Sequence, residues 1–215
     1  MLHRLRQLFR PDPAQRAVEF WRLFAANETT FRGLTKLPPA EAERNLQLLR
    51  KPLHAYCESL ELLFGQPAPG RHDLIISAGG IRADFPHAEA LVAAAPELPD
   101  WNVIALKPPV PETSVIEVGG QRFDRDLITF AVVELPDEPD ALALHVFHEP
   151  YPEALQERHH LATFLLLDFL LGERSVAEDL RYVETRPLPR DIPANVLRPL
   201  STLPTLIRER RSSLA

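Results

Sequence analysis

Three polar side chains, Asn27, Glu28 and Asp168, stand where the surrounding pattern calls for apolar ones, and each is of a type that can hold a ligand or move a proton. At about 100° per residue, Asn27 and Glu28 in FWRLFAANE fall in the same helical sector as Phe20, Phe24 and Phe31. Asp168 interrupts HLATFLLLDFLLGE (residues 160–173), a run that is apolar on nearly every side of a helix and is therefore expected to be buried. An ionised carboxylate is too costly to keep there alone, so Asp168 needs a hydrogen-bonding or cationic partner. Two readings stay open. The three residues tie their helices to neighbouring elements, or they line a ligand pocket in which Glu28 and Asp168 form a carboxylate pair suited to acid–base work.

Other chemistry-bearing residues point less far. His145 and His148 face opposite sides of a strand, and His159 and His160 diverge by about 100° on a helix. No H-E-x-x-H pattern is present, so no metal site is expected. Ser77 in ISAGG lacks the leading glycine of a nucleophile elbow. Neither Gly79-Gly80 nor Gly119-Gly120 makes a phosphate loop, and no cofactor is expected. Cys57 is the only cysteine, which excludes an internal disulfide and any multi-cysteine zinc site; YCESL reads as a buried, inert thiol.

These residues must be positioned by elements that the periodicity outlines. A helix is expected from Ala14 to about Leu34, capped by Asp12 and Pro13, and a second from about Pro39 to Ser59, kinked or split by Pro52. A hairpin follows over Leu60–Phe64 and Asp73–Ser77 around GQPAPG, then a short helix over Pro86–Ala95. Strands are expected over residues 101–107, 114–118, 126–135 and 141–148, the last two joined by PDEPD. A late helix runs from about Pro152 to Leu171 and stops at Gly172, before a helical turn over Val176–Leu180 and a strand over Arg181–Arg186. The order ααββαββββαβ implies an α+β fold, a mainly antiparallel sheet with helices packed on one face.

A chain of 215 residues with no repeat and no clean boundary is read as one domain, 1–215, with a basic N-terminal segment 1–12 and a Pro-rich C-terminal tail 187–215 wrapping the surface. The 22 prolines fall mostly in pairs that set turns and element ends. A net charge of −6 argues against nucleic acid, which asks for a clustered basic face. The basic clusters HRLRQLFR (3–10) and RERR (208–211) read as frayed termini, with Leu2, Leu5, Leu8 and Phe9 leaving weak surface or partner binding open. No apolar run is long enough for a transmembrane segment and no secretory signal is seen, so a cytoplasmic setting is expected.

FWRLFAANE (20–28), DLIISAGGIRADFPHAEALVAAAPELPDW (73–101) and LLLDFLLGE (165–173) together resemble a group of bacterial proteins of about this length without assigned activity. There, an FWxxFxxNE-like first helix and an LDxxLGE-like late helix flank an antiparallel sheet. The resemblance implies this fold and a bacterial cytoplasmic setting, and brings no catalytic residue. Two function classes follow. One is a non-enzymatic interaction or regulatory protein, of the immunity-protein kind, with a protein partner and oligomeric state left open. The other is an enzyme or small-ligand binder using Asn27, Glu28 and Asp168.

Overall fold

Asp12 opens the first helix, α1 (Pro13–Ala26), by accepting from the backbone N–H of Ala14 at 3.4 Å. A computed structural model describes residues 12–138, 141–193 and 195–214, and the apolar N-terminal positions Leu2, Leu5, Leu8 and Phe9 lie outside them. The helix expected to reach Leu34 is instead broken at Asn27, where the side-chain Nδ2 donates to Leu23 O at 2.9 Å and a short α2 (Glu28–Arg32) begins. An Asn bonding back to its own turn competes with the helical ladder, which explains the break. The next helix, α3 (Pro39–Tyr56), continues through Pro52 without splitting.

The chain gathers into two compact units, residues 1–106 and 107–215. In the first, β1 (Glu61–Ala68) and β2 (Arg71–Ser77) form the expected antiparallel hairpin, and β3 (Trp101–Ala105) joins β2 in parallel after α4 (Phe85–Ala93). Ser77 Oγ accepts from Gly79 N at 3.1 Å, a turn-forming role at the end of β2. The core of this unit is aromatic: Phe20, Trp21, Phe24 and Phe31 are buried as their stripe predicts, and Phe24 packs edge-on to Trp101 with centroids 5.1 Å apart.

In the second unit β4 (Val115–Val118) and β5 (Gln121–Asp124) form a hairpin across Gly119-Gly120. Phe123 and Val118 are buried and anchor the hairpin in the core of this unit. A four-stranded sheet is ordered β8-β7-β6-β9, from β6 (Thr129–Val133), β7 (Leu142–His148), β8 (Leu180–Pro187) and β9 (Arg198–Pro199). Its β6–β7 and β6–β9 pairs are antiparallel and β7–β8 is parallel. The late helix α5 (Gln156–Asp179) carries a non-helical Gly172 at φ 77°, so the expected stop is there and a second helical piece follows it. Six helices and nine strands are thus present among the described residues, in an α+β fold whose sheets are mostly antiparallel.

The C-terminal tail is more than a surface wrap. After β9 it forms α6 (Leu203–Leu214), and Leu200, Leu203 and Ile207 are buried in the core of the second unit. RERR is likewise part of α6 rather than a frayed end, with Arg211 Nε 2.8 Å from Asp179 Oδ1. Among the described residues no helix is long and apolar enough to cross a membrane.

Candidate functional site

Asn27, Glu28 and Asp168 do not converge on one unit: the first two belong to residues 1–106 and the third to residues 107–215. Glu28 Oε1 accepts from Arg32 Nη2 at 2.5 Å and from the indole Nε1 of Trp101 at 3.0 Å, while the same guanidinium reaches Asp100 at 2.7 Å. Glu28 thereby satisfies the one polar atom of a largely buried tryptophan, and it ties α2 to the start of β3. Asn27 is spent on the helix break.

Asp168 has the cationic partner that the sequence demanded, the ammonium of Lys107. It is partly rather than largely buried, because α5 is not enclosed on all sides: Leu161 is 52% and Phe164 45% exposed. The buried side of α5 carries Ala162, Thr163, Leu166, Leu167 and Leu170, with Leu165 at its border packed against the core, whereas Leu161, Phe164 and Asp168 follow the i, i+3, i+7 spacing of a separate face. The LLLDFLLGE segment holds residues 107–110. Lys107 N donates to Glu173 Oε2 at 3.0 Å, Glu173 N to Lys107 O at 2.9 Å, and Val110 N to Phe169 O at 2.6 Å. Gly172 permits the approach, since a Cβ there would lie 2.9 Å from Pro109 Cδ.

A second constellation escaped the sequence reading. His148 ends β7 and His159 lies in the first turns of α5; they are 3% and 1% exposed, with their Nδ1 atoms 3.1 Å apart. Thr163 Oγ1 is 3.0 Å from His159 O, 2.8 Å from His148 Nε2 and 2.9 Å from the hydroxyl of Thr185. A carbonyl only accepts, so the single Thr163 proton goes to His159 O, and both Thr185 O–H and His148 Nε2–H donate to Thr163. His148 Nδ1 is then bare and accepts from His159 Nδ1–H. His159 Nε2 is bare in turn and faces the amide Nε2 of Gln121 at 3.4 Å. The chain of bonds runs in one direction only, and an added proton on either ring breaks it.

Burial accordingly pushes His148 down to about 4, aided by His159 and His160, and pushes His159 down as well, aided by His160. A cavity of about 160 Å³ lies beside the pair, lined by Gln121, Phe123, Ile128, Glu149 and Pro150 among others. The Gln121 Oε1 atom is buried without a hydrogen-bond partner. The arrangement offers hydrogen-bond acceptors to a small donor, and its histidines are neutral and poorly basic near pH 7. The signal was present in ALALHVFH: His148 shares strand parity with Leu142, Leu144 and Val146, the core face.

His145 and His148 do face apart, His145 pairing instead with Glu184 at 3.2 Å, and His160 is exposed where His159 is buried. A larger open cleft of about 620 Å³ is lined by Gln15, Arg16, Glu19, His54, Tyr56 and Glu58. Two of its charged groups are turned to other tasks, Arg16 Nη1 donating to Ala55 O at 2.6 Å and Glu19 pairing with Arg22 at 2.8 Å. Comparison with known proteins finds no matching family, no matching curated protein and no matching solved structure.

Proposed function

We propose that this chain is a non-enzymatic, cytoplasmic interaction protein that binds a protein partner through the open face of α5. The observation that carries this reading is the exposure of Leu161 and Phe164, two large apolar side chains one turn apart in the apolar middle segment of α5. A face of that kind gains by being covered, and aromatic side chains are the usual anchors of such contacts. Support also comes from the residues that an enzyme reading would need. Glu28 and Asp168 are each bound to a cation within their own unit.

The test replaces both anchors in Leu161→Asp/Phe164→Asp. Partners captured by the parent are identified and rebound as purified proteins. The double variant should keep its fold by circular dichroism, because both side chains are exposed, and lose at least about tenfold in affinity, the order of one hot-spot side chain. Equal binding by the variant, or no macromolecule bound by the purified parent, sinks the reading.

A second reading rests on the His148–His159 cavity, where the unpartnered Gln121 Oε1 favours a small ligand bearing a hydrogen-bond donor. A fragment screen read through the imidazole resonances of His148 and His159 checks it. A library that moves neither ring removes this alternative.

A further inference from the structure

We propose that Cys57, Asp84 and His87 form a binding site for one divalent cation of borderline softness, zinc being the ion that fits the donors best. The three residues come from separate elements of the first unit. Cys57 closes α3, Asp84 ends the 3-10 turn Arg82–Asp84, and His87 lies in the first turn of α4. One donor atom from each lies within 4.8 Å of the other two. This inference goes beyond the α5 interaction face and is independent of it.

The geometry is close to that of a coordination shell. Asp84 Oδ1 and His87 Nδ1 are 3.7 Å apart, too far for a hydrogen bond. Two ligands of a tetrahedral zinc, at bond lengths of about 2.0–2.1 Å, stand roughly 3.4 Å from each other. The pair thus needs to close by only a few tenths of an ångström. The sulfur, at about 2.3 Å from a zinc ion, needs a larger but still modest approach. His87 is half exposed with its ring edge-on to Tyr56, centroids 6.2 Å apart, so the imidazole can close on Asp84 without uncovering the core.

Neighbouring groups already orient the donors. Ser59 Oγ donates to Asp84 Oδ2 at 2.6 Å, which occupies one carboxylate oxygen and leaves Oδ1 toward His87. Since the Ser59 proton is spent there, the contact of 3.3 Å between Ser59 Oγ and Cys57 Sγ is an S–H donation from the thiol, which fixes the direction of the sulfur. Tyr56 O–H donates to His87 O at 3.1 Å and binds the start of α4 to the end of α3. Such outer partners are what hold ligating side chains in place in metal sites. Binding replaces the S–H bond by a thiolate–metal bond and releases that proton to solvent.

The donor set selects the ion. Calcium and magnesium take all-oxygen shells, whereas one thiolate, one imidazole and one carboxylate suit zinc, and cobalt as its spectroscopic stand-in. Three protein ligands leave a fourth position for water or for a side chain of a bound partner. Histidine spacings on single elements and a lone cysteine point to no metal site, because Cys57, Asp84 and His87 sit on two helices and a turn and form no local motif.

The experiment is calorimetric titration of zinc into the full chain, freed of metal by a chelator, with cobalt absorption as a second readout. One equivalent should bind with micromolar affinity or better. Cys57→Ser and His87→Ala should each weaken it by about tenfold or more, the scale on which even supporting residues matter in metal sites. Cobalt should give a thiolate-to-metal charge-transfer band in the parent that is lost in Cys57→Ser. If Cys57→Ser fails to fold, His87→Ala carries the test from its exposed position. Absence of stoichiometric zinc, zinc bound equally by the parent and His87→Ala, or a cobalt complex without the sulfur band overturns the proposal.

Discussion

The two units spend buried space in opposite ways. Residues 1–106 are built around rings, with Phe20, Trp21, Phe24 and Phe31 buried together and the indole N–H of each tryptophan given a partner: Trp21 Nε1 donates to Leu91 O at 2.8 Å and Trp101 Nε1 to Glu28 at 3.0 Å. Residues 107–215 bury mainly aliphatic side chains, with Phe123, Phe130 and Phe147 among them, around an internal polar chain of His148, His159, Thr163 and Thr185. The ring core draws its strength from area and packing. The polar chain depends on every proton being in its place, because an unsatisfied group in that setting is costly. The first unit should therefore be sensitive to volume and the second to pH.

The largest expected effect tests the first half of that contrast. Phe24→Ala empties the centre of the aromatic cluster and should cost about 3–5 kcal/mol. Both tryptophans of the chain, Trp21 and Trp101, lie in residues 1–106, so their fluorescence in denaturant reads this unit. A loss below about 1 kcal/mol, the range of ordinary surface changes, would mean that the rings contribute little.

The second half turns on His148. Its folded value near 4 lies below the ordinary 6.5, so the unfolded chain takes up the proton first as pH falls. Stability from the neutral ring is complete above about pH 6.5, drains between 6.5 and 4, and is gone below that, a loss on the order of 3 kcal/mol from this group. His148→Gln should flatten that part of the profile, measured by urea unfolding followed through a probe in the second unit. Parallel profiles for parent and variant would place the pH response elsewhere.

A smaller effect is expected at Gly172, where α5 meets residues 107–110 of the same unit. Gly172→Ala meets both the positive φ of 77° and the Pro109 ring, so about 1–3 kcal/mol should be lost in chemical denaturation. A neutral change would show that the 107–110 segment swings away at little cost.

The ring core was legible because Ala17, Phe20, Trp21 and Phe24 repeat at helical spacing within one element, and the turns were legible because Gly and Pro mark them. What remained hidden depends on pairing between elements. His148 and His159 look like separate histidines until β7 and α5 bring their rings together, and Cys57 with Asp84 and His87 spans two helices and a turn. The burial of α5 was over-read for a related reason: an apolar sequence states what a face would prefer to touch, and only the fold decides whether anything in the chain touches it. For Asn27 the sequence left a structural tie and a pocket role open; its bond to Leu23 O is a tie within its own turn, which leaves no trace in hydrophobic periodicity.

The smallest effect is expected at Asp168, which joins the apolar sequence of α5 to the Lys107 ammonium. Its partner Lys107 is also fixed through its backbone by Glu173, so the loop stays docked when the ion pair is removed. Both side chains of the pair are about a quarter exposed, 28% for Lys107 and 23% for Asp168, so solvent screens the attraction. Asp168→Asn should thus destabilise by about 1 kcal/mol, and Lys107→Met by a similar amount, with the double variant little worse than either. The loss should shrink in high salt, as a screened charge pair requires. Additive losses in the double variant would mean that each residue has a different partner. A loss of several kcal/mol would place Asp168 in the same class as the His148 network, and the contrast between a charge at the rim of α5 and a polar chain inside it would fail.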